Sequence, residues 1–478
     1  MLKYKARSAI LWAGLEAILR TGISFLISVV LARLLVPEEF GTIALLGLFI
    51  GVANLFISAG LGQALVQRQD VTHTDQSTVF WFNLGVAFLM ACLLVASAPF
   101  IAGFFGIPVL LPLMIALALN VAVGSLGSIH FALLTKSLDF KSLTKIGVLS
   151  AVLSGGIAIT LAWAGFGVWA LAGQTISATL VTVTSLWWLS TWRPLWTFST
   201  SSFHKLFGFG GWLFASGFLD VVYQRGYTIL IGKFYSTRDL GLYGRADNIQ
   251  TLASELMSNV LAKVAFPLLS AVNGDKTRLR NGVRLSIQTA MLLTAPIMVG
   301  LATLAEPLIL VIYGQKWMSV VPILQVLCVT GLLLPFHLIN LNVLQAQGYS
   351  HLFFRLELAK KTVGIILILC GSLYGLIGMA FGRALGGVAA LLINAFYTKK
   401  ILDYGSAEQL KDSSMSLFLA SIMGGAILVI EDSAVVDDVF GILLLIVFGF
   451  SLYLMLNIIF NSVAFKQLLR LLAKNDHG

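Results

Sequence analysis

The sequence predicts an all-α polytopic membrane protein of about fourteen transmembrane helices. Three observations carry that prediction. Of 478 residues, 58% are hydrophobic and only 11% charged, with mean hydropathy +0.93, whereas a soluble domain carries about 25% charged residues. Apolar runs of ~18 residues or more, long enough to cross a bilayer, recur from end to end. Finally, Lys and Arg are shared very unevenly between alternate polar breaks, the pattern that sets topology in a membrane.

The elements follow in order. The head MLKYKARSAILWAGLEAILR starts basic, but Glu16 and Arg20 interrupt its apolar run and no small-residue cleavage site follows. It therefore reads as the first span, 9–32, and not as a signal peptide. The turn LARLLVPEEFG comes next, where Pro37 stops one helix and Gly41 precedes another. Further windows fall at 42–62, 79–104, 108–133, 146–164 and 167–189. A break rich in tryptophan (Trp187, Trp188, Trp192, Trp196) reads as an interfacial belt. Spans at 206–231 and 243–269 are separated by IGKFYSTRDLG, and the rest lie at 285–312, 319–344, 361–378, 380–398, 414–430 and 438–462.

Of the 31 Lys and Arg residues, 22 fall in one set of breaks, Lys360 and Lys361 among them. Five fall in the other set (Arg33, Lys233, Arg238, Arg245 and Lys316), and four lie inside spans. The bias predicts both termini on the cytoplasmic side. No extramembrane segment is much longer than about sixteen residues, which disfavours a membrane polymerase or ligase with a loop-borne active site. There is no nucleophile–base–orienter trio, no GxxxxGK[ST], no HExxH and no acidic metal cluster, so an enzyme and a metal site are not expected. Cys92, Cys328 and Cys370 all fall in apolar segments and read as packing residues. A net charge of +10 suits a rim facing anionic lipid and gives no sign of nucleic acid.

Several features return at nearly constant offset. Trp12 and Gly41 reappear as Trp212 and Gly241, APFIAGFFG (98–106) matches EPLILVIYG (306–314), and GFGVWA (165–170) has an echo in LIGMAF (376–381). The expected organisation is two parallel six-helix lobes, 1–200 and 201–405, with a C-terminal pair, helices 13 and 14, and a tail over 406–478.

A charge near the middle of a span costs of order 2.5–3.5 kcal/mol on insertion scales, so each needs a partner or a purpose. Arg20 follows Glu16 at i,i+4; the two form a self-neutralising pair or Arg20 faces a cavity. The 200-residue offset sets Arg20 opposite Asp220. Arg225 is a second candidate cation, Lys263 reaches a phosphate or the interface, and Arg383 interrupts the close-packing run Gly378, Gly382, Gly386. Glu255 sits on a polar helix among Asn248, Gln250 and Asn259. It or Asp220 is the expected coupling carboxylate for an H⁺ or Na⁺ gradient.

The segments LARLLVPEEFG, GLGQALVQRQDVTHTDQSTVFWFN, LLTKSLDFK and above all YGQKWMSVVPILQVLCVTGLL (313–333) resemble the Wzx-type polysaccharide transporters of the MOP superfamily. The likeness is strongest to the branch that includes the colanic-acid exporter, and it covers about residues 5 to 400. It implies a MOP-type fold and alternating access, with flipping of undecaprenyl-diphosphate-linked oligosaccharide repeat units across the bacterial inner membrane for exopolysaccharide or lipopolysaccharide synthesis. Membrane lipid, a polysaccharide polymerase and a chain-length regulator would be its partners, and it would need no resident cofactor. On that reading Arg20, Arg225, Lys263 and Arg383 bind the substrate, while Glu16, Asp220 and Glu255 line the cavity or couple the ion. A peptidoglycan-precursor flippase and a drug/cation antiporter are the alternatives within transport.

Overall fold

The computed structural model describes the backbone of residues 2–58, 60–68, 70–270, 275–347, 350–433 and 438–466, and side chains there except 2–11, 13, 15–18, 208–213, 215–216, 219–220, 222–225, 255–270, 345–346, 350–354 and 433. Among these residues the regular elements are all helical. Each of the fourteen expected spans has a helical counterpart, and three spans are broken in two. The first two spans become α1 (Leu2–Leu34), α2 (Pro37–Ser58) and α3 (Leu61–Gln67). Gly60, in the left-handed region at φ 69°, makes the break between α2 and α3. Next come α4 (His73–Phe105), α5 (Leu110–Ser125) and α6 (Ser128–Lys136), the last two bent by 40°. Then follow α7 (Phe140–Trp163), α8 (Val168–Leu189), α9 (Thr200–Phe234) and α10 (Thr237–Ser270). The chain continues as α11 (Lys276–Thr303), α12 (Ala305–Tyr313), α13 (Val320–Ala346), α14 (Ser350–Ser372), α15 (Gly375–Leu402), α16 (Ser406–Ser433) and α17 (Val439–Ile459).

Among the described residues, eight helices are long and apolar enough to cross a membrane, or nine if α5 and α6 form one span. The fourteen-span reading is consistent with this. Helix α8 falls outside the eight although it is 22 residues long. Its face carries Gln174, Thr175, Thr179 and Thr182 at helical spacing, which lowers its hydropathy for a reason given below.

The sequence places one junction wrongly. The 361–378 and 380–398 spans are α14 and α15, and the chain turns at Leu373–Tyr374, not near residue 379. Lys360 and Lys361, counted among the loop cations, therefore lie inside α14. Their side chains are only 10% and 16% exposed, paired with Glu357 one turn before. Arg245, counted in the opposite loops, is likewise inside α10 and 6% exposed.

The chain forms two compact units, Met1–Gly241 and Leu242–Gly478. This division by packing falls after Gly241, because α9 lies against α2, α3 and α4. In the first unit α2 runs through the middle, touching α4, α5, α8 and α9, while α7 is clasped between α1 and α8. Gly232 of α9 lets that helix sit against Leu45 and Phe105. In the second unit α11 packs on α13 and α16, α14 on α15, and α16 on α17. Its core runs through Met291, Phe336, Leu419 and Tyr453.

The paired turns are now readable. Helices α1 and α9 end at Leu34 and Phe234, and α2 and α10 begin at Pro37 and Thr237, the same offset of 200 at both points. Within the first unit the two turns meet. A Cβ on Gly41 would collide with the Thr237 carbonyl, and one on Gly241 with the Pro37 carbonyl. Only glycine at both positions permits so close a crossing. Each turn caps its following helix in the same way. The Val36 N–H donates to the Glu39 carboxylate at 2.9 Å, and the Ser236 N–H to that of Asp239 at 3.2 Å. Glu38 and Arg238 face each other at 3.8 Å.

Two exposed carboxylates fix connections outside the spans. Asp70 accepts from Lys205 at 2.7 Å, and that bond holds its carboxyl below the usual range. Asp403, in the α15–α16 connection, is lowered in the same way by Lys276 at 2.7 Å. Beside it, burial and the neighbouring Asp412 carboxylate, to which it donates at 2.9 Å, push the Tyr404 phenol up.

Candidate functional site

A cavity of about 1210 Å³ opens within the first unit. It is larger than a typical small-ligand pocket, which runs to about 1,000 Å³. Its wall is assembled from the polar faces of membrane helices, and each contribution is set by helical spacing. Helix α8 supplies Gln174, Thr175, Thr179 and Thr182. These are the residues that cost it apolarity: a helix that must cross lipid keeps such side chains only where another surface covers them. Helix α7 adds Ser150 and Ser154, and α6 adds Ser128 and Thr135. The short α3, swung off α2 at Gly60, brings Gln63 and Gln67. Helix α1 contributes Ser24 and Arg20.

Among the described residues, Arg20 is the one charged side chain in this lining. No described carboxylate, imidazole, thiol or lysine accompanies it there. Arg20 presents a fork of N–H donors suited to phosphate or carboxylate oxygens. Asn83, 2% exposed and also in the wall, donates its amide N–H to Ser128 at 3.3 Å, while its carbonyl oxygen has no partner.

The other candidates are distributed differently. Arg383, in the second unit, donates to Asp247 of α10 at 2.6 Å, with side chains 27% and 17% exposed. Sequence reasoning did not single out Asp247, although its place on α10 three residues from Gln250 was legible. The side chains of Glu16, Asp220, Arg225, Glu255 and Lys263 lie outside the described residues. Gln250 is buried and donates to Ser254 at 2.6 Å, while Asn248 is exposed.

The YGQKW stretch turns out to enclose an arginine. Arg245 lies 5.1 Å from the Tyr313 ring centre and 5.0 Å from that of Trp317, which is fully buried. The arrangement is a cation–π clamp between α10 and the α12–α13 connection. Nothing in the local sequence of either partner reveals it, because the two are some seventy residues apart.

The tryptophan cluster divides. Trp188 and Trp196 are 86% and 88% exposed, as a belt would be, but Trp187 and Trp192 pack inward around the buried His130 at 4.9 and 5.3 Å. Trp187 also donates to the Leu126 carbonyl at 3.0 Å. The reason is position: Trp187 borders the buried side of α8 marked by Leu186, which is 2% exposed, while Trp188, about 100° further round the helix, faces outward. Of the cysteines, Cys328 is buried as expected, whereas Cys92 and Cys370 are exposed.

Comparison with known proteins agrees with this architecture. The model of the polysaccharide biosynthesis protein family matches residues 30–322, and that of the lipid II flippase MurJ matches residues 228–449. The chain is 31% identical over 307 residues to the teichuronic acid biosynthesis protein TuaB of Bacillus subtilis, covering 63% of each chain. The alignment thus spans under two thirds of that relative's length. It is 25% identical over 404 residues to the lipopolysaccharide biosynthesis protein WzxC of Escherichia coli, covering 83% of this chain and 81% of that one. Among solved structures, MurJ in an inward closed conformation superposes with a TM-score of 0.76 at 16% identity, over 94% of this chain and 98% of that one. At that identity the likeness establishes the fold, and it bears out the all-α, MOP-type architecture. With more than half of its length matched by the family model and its helices arranged as a multi-pass membrane protein, the chain belongs to the polysaccharide biosynthesis protein family.

Proposed function

We propose that this protein flips undecaprenyl-diphosphate-linked oligosaccharide repeat units across the bacterial inner membrane by alternating access. One observation carries the reading: a cavity of about 1210 Å³ inside a bundle of membrane helices, polar on its walls, with Arg20 as its described charge. A lipid-linked diphosphate glycan needs a cation for phosphate, a wet neutral space for sugar, and lipid contact for its tail. Arg20 meets the phosphates through its donor fork. Arg225 and Lys263 are proposed to assist, and Asp220 or Glu255 to couple an H⁺ or Na⁺ gradient. Arg383 acts through its pair with Asp247. The termini face the cytoplasm, and the two six-helix halves, 1–200 and 201–405, move as lobes, with 406–478 as appendix. A polymerase and a chain-length regulator would take the product. The function proposed is transport, which the polar described wall supports as a binding surface.

The experiment is cellular. A strain lacking the protein should accumulate diphosphate-linked repeat units on the cytoplasmic leaflet. Accumulation of unpolymerised units on the outer leaflet would instead assign the chain to polymerisation and overturn the reading. A second reading, peptidoglycan-precursor flipping, is favoured by the MurJ match over 228–449. Restored growth of a strain depleted of its peptidoglycan-precursor flippase would support it.

A further inference from the structure

Two short helices build a shelf into the cavity of the first unit. Helix α3 leaves α2 at Gly60 and packs Leu61, Ala64 and Leu65, each 1% exposed or less, against Ile129 of α6. Its other face carries Gln63 and Gln67, one turn apart, both exposed and both lining the cavity. Helix α6 repeats the arrangement beside it. Ile129 is fully buried, while Phe131, 52% exposed, and Thr135 one turn later line the cavity. Lys136 ties the two helices together: its ammonium donates to the Leu65 carbonyl at 3.1 Å and to the Arg68 carbonyl at 2.5 Å, closing the C-terminal end of α3. The polar groups of the shelf are not equally committed. Thr135 gives its proton to the Phe131 carbonyl at 2.9 Å. Among the described residues, Gln63 and Gln67 make no hydrogen bond to protein, so each holds out two N–H donors and a carbonyl acceptor.

A hydrocarbon tail has no use for two carboxamides, and a phosphate uses only their N–H groups. A pyranose uses the whole shelf. Its rim of hydroxyls both gives and takes hydrogen bonds, and its C–H face is apolar and packs on an aromatic ring. We infer that the α3–α6 shelf is a sugar subsite of the cavity, where Gln63 and Gln67 hold the hydroxyls of one pyranose and Phe131 covers its C–H face. The inference rests on the proposed flipping of lipid-linked oligosaccharide, and it names the side chains that read the glycan, separate from the Arg20 that meets the diphosphate. Gln63 and Gln67 are the specificity-determining pair.

The test uses the full chain in lipid nanodiscs and two probes, undecaprenyl diphosphate and the same lipid carrying a neutral hexopyranose trisaccharide. Wild type should bind the glycolipid about tenfold or more tighter. The leucine pair (Gln63→Leu, Gln67→Leu) removes the carboxamides at similar volume. It should lose about tenfold of the glycolipid affinity, as two lost hydrogen bonds predict, and bind undecaprenyl diphosphate unchanged. Phe131→Leu should weaken the glycolipid several-fold, whereas Phe131→Tyr keeps the ring and should keep the affinity. Equal wild-type binding of the two probes overturns the inference while the flippase reading stands. So does a leucine pair that binds the glycolipid normally or weakens both probes alike. A Phe131→Leu variant with wild-type glycolipid affinity has the same consequence, since a hydrocarbon occupant would accept leucine. If wild type binds neither lipid, the flippase reading falls and takes the inference with it. Should the leucine pair fail to fold, the glycolipid with a photoreactive diazirine on each sugar decides on wild type alone. Label within 61–67 and 128–136 supports the shelf, and label confined to other segments overturns it.

Discussion

The two units treat membrane-embedded polar groups in opposite ways. In the first, a neutral wall of Ser, Thr and Gln surrounds a cavity, and among the described residues one cation, Arg20, lines it. In the second, four described cations inside helices are matched to nearby groups: Arg383 to Asp247, Lys360 and Lys361 to Glu357, and Arg245 to the rings of Tyr313 and Trp317. The difference teaches how to read a charge in a membrane helix. A cation set against a nearby carboxylate or aromatic face stabilises packing, whereas one that lines a cavity of neutral side chains lies where a ligand would meet it.

Breaking the pairs in the second unit should give the largest effects on stability. Asp247→Ala leaves Arg383 in a partly buried site without this carboxylate and should destabilise by about 3–5 kcal/mol. Removing both, Asp247→Ala with Arg383→Ala, should recover most of it. Chemical denaturation in detergent reads both, and a double variant no better than the single would show that the pair is not the stabilising unit. Trp317→Ala, which empties a fully buried site and uncovers Arg245, should cost about 3–5 kcal/mol.

Arg20 should behave in the reverse sense. Arg20→Ala should lower repeat-unit transport more than tenfold while shifting the melting temperature little, and Arg20→Lys should recover part of the transport. A large melting shift with unchanged transport would place Arg20 with the structural pairs.

Gly41→Ala should cost about 1–3 kcal/mol, because the new methyl group meets the Thr237 backbone, which cannot rotate away. Gly62→Ala on α3, whose Cβ would meet nothing within 4 Å, is the control and should be near neutral.

The smallest effect concerns pH. Asp70 and Asp403 are held below their usual value of 3.8, so their contribution is present above that value and is lost as pH falls through the lower folded one. Melting should therefore be flat from these groups between pH 8 and 5 and decline only below about 3.8. Lys205→Ala and Lys276→Ala should flatten that decline slightly, since both bridges lie in solvent.

Much of the fold was legible because a bilayer leaves a chain few choices. Helices must satisfy their own backbone, so apolar length and polar breaks placed a helix at each of the fourteen windows. Among the described residues, eight or nine of these are long and apolar enough to cross a membrane. The error at 373–374 arose because Lys360 and Lys361 look like a loop until Glu357, one turn back, is seen to neutralise them. The cavity was half legible. Arg20 stood out as a charge in an apolar run, but the Gln174, Thr175, Thr179, Thr182 face of α8 went unread although its spacing was in plain sight. The pairing of Asp247 with Arg383 and the Arg245 clamp were not readable, because the partners are 136 and about seventy residues apart.

By itself the sequence determined the class of molecule, the order of its helices and the twin turns at Pro37–Gly41 and Thr237–Gly241, since each depends on local composition and spacing. The tertiary structure decided what those features are for. It brought the two turns into backbone contact through Gly41 and Gly241, gave Arg383 and Arg245 their partners, and gathered hydroxyls from α6, α7 and α8 around one space with Arg20. The physical reason is that a charge or hydroxyl acquires its role from what neutralises it, and in this chain those neighbours come from distant segments.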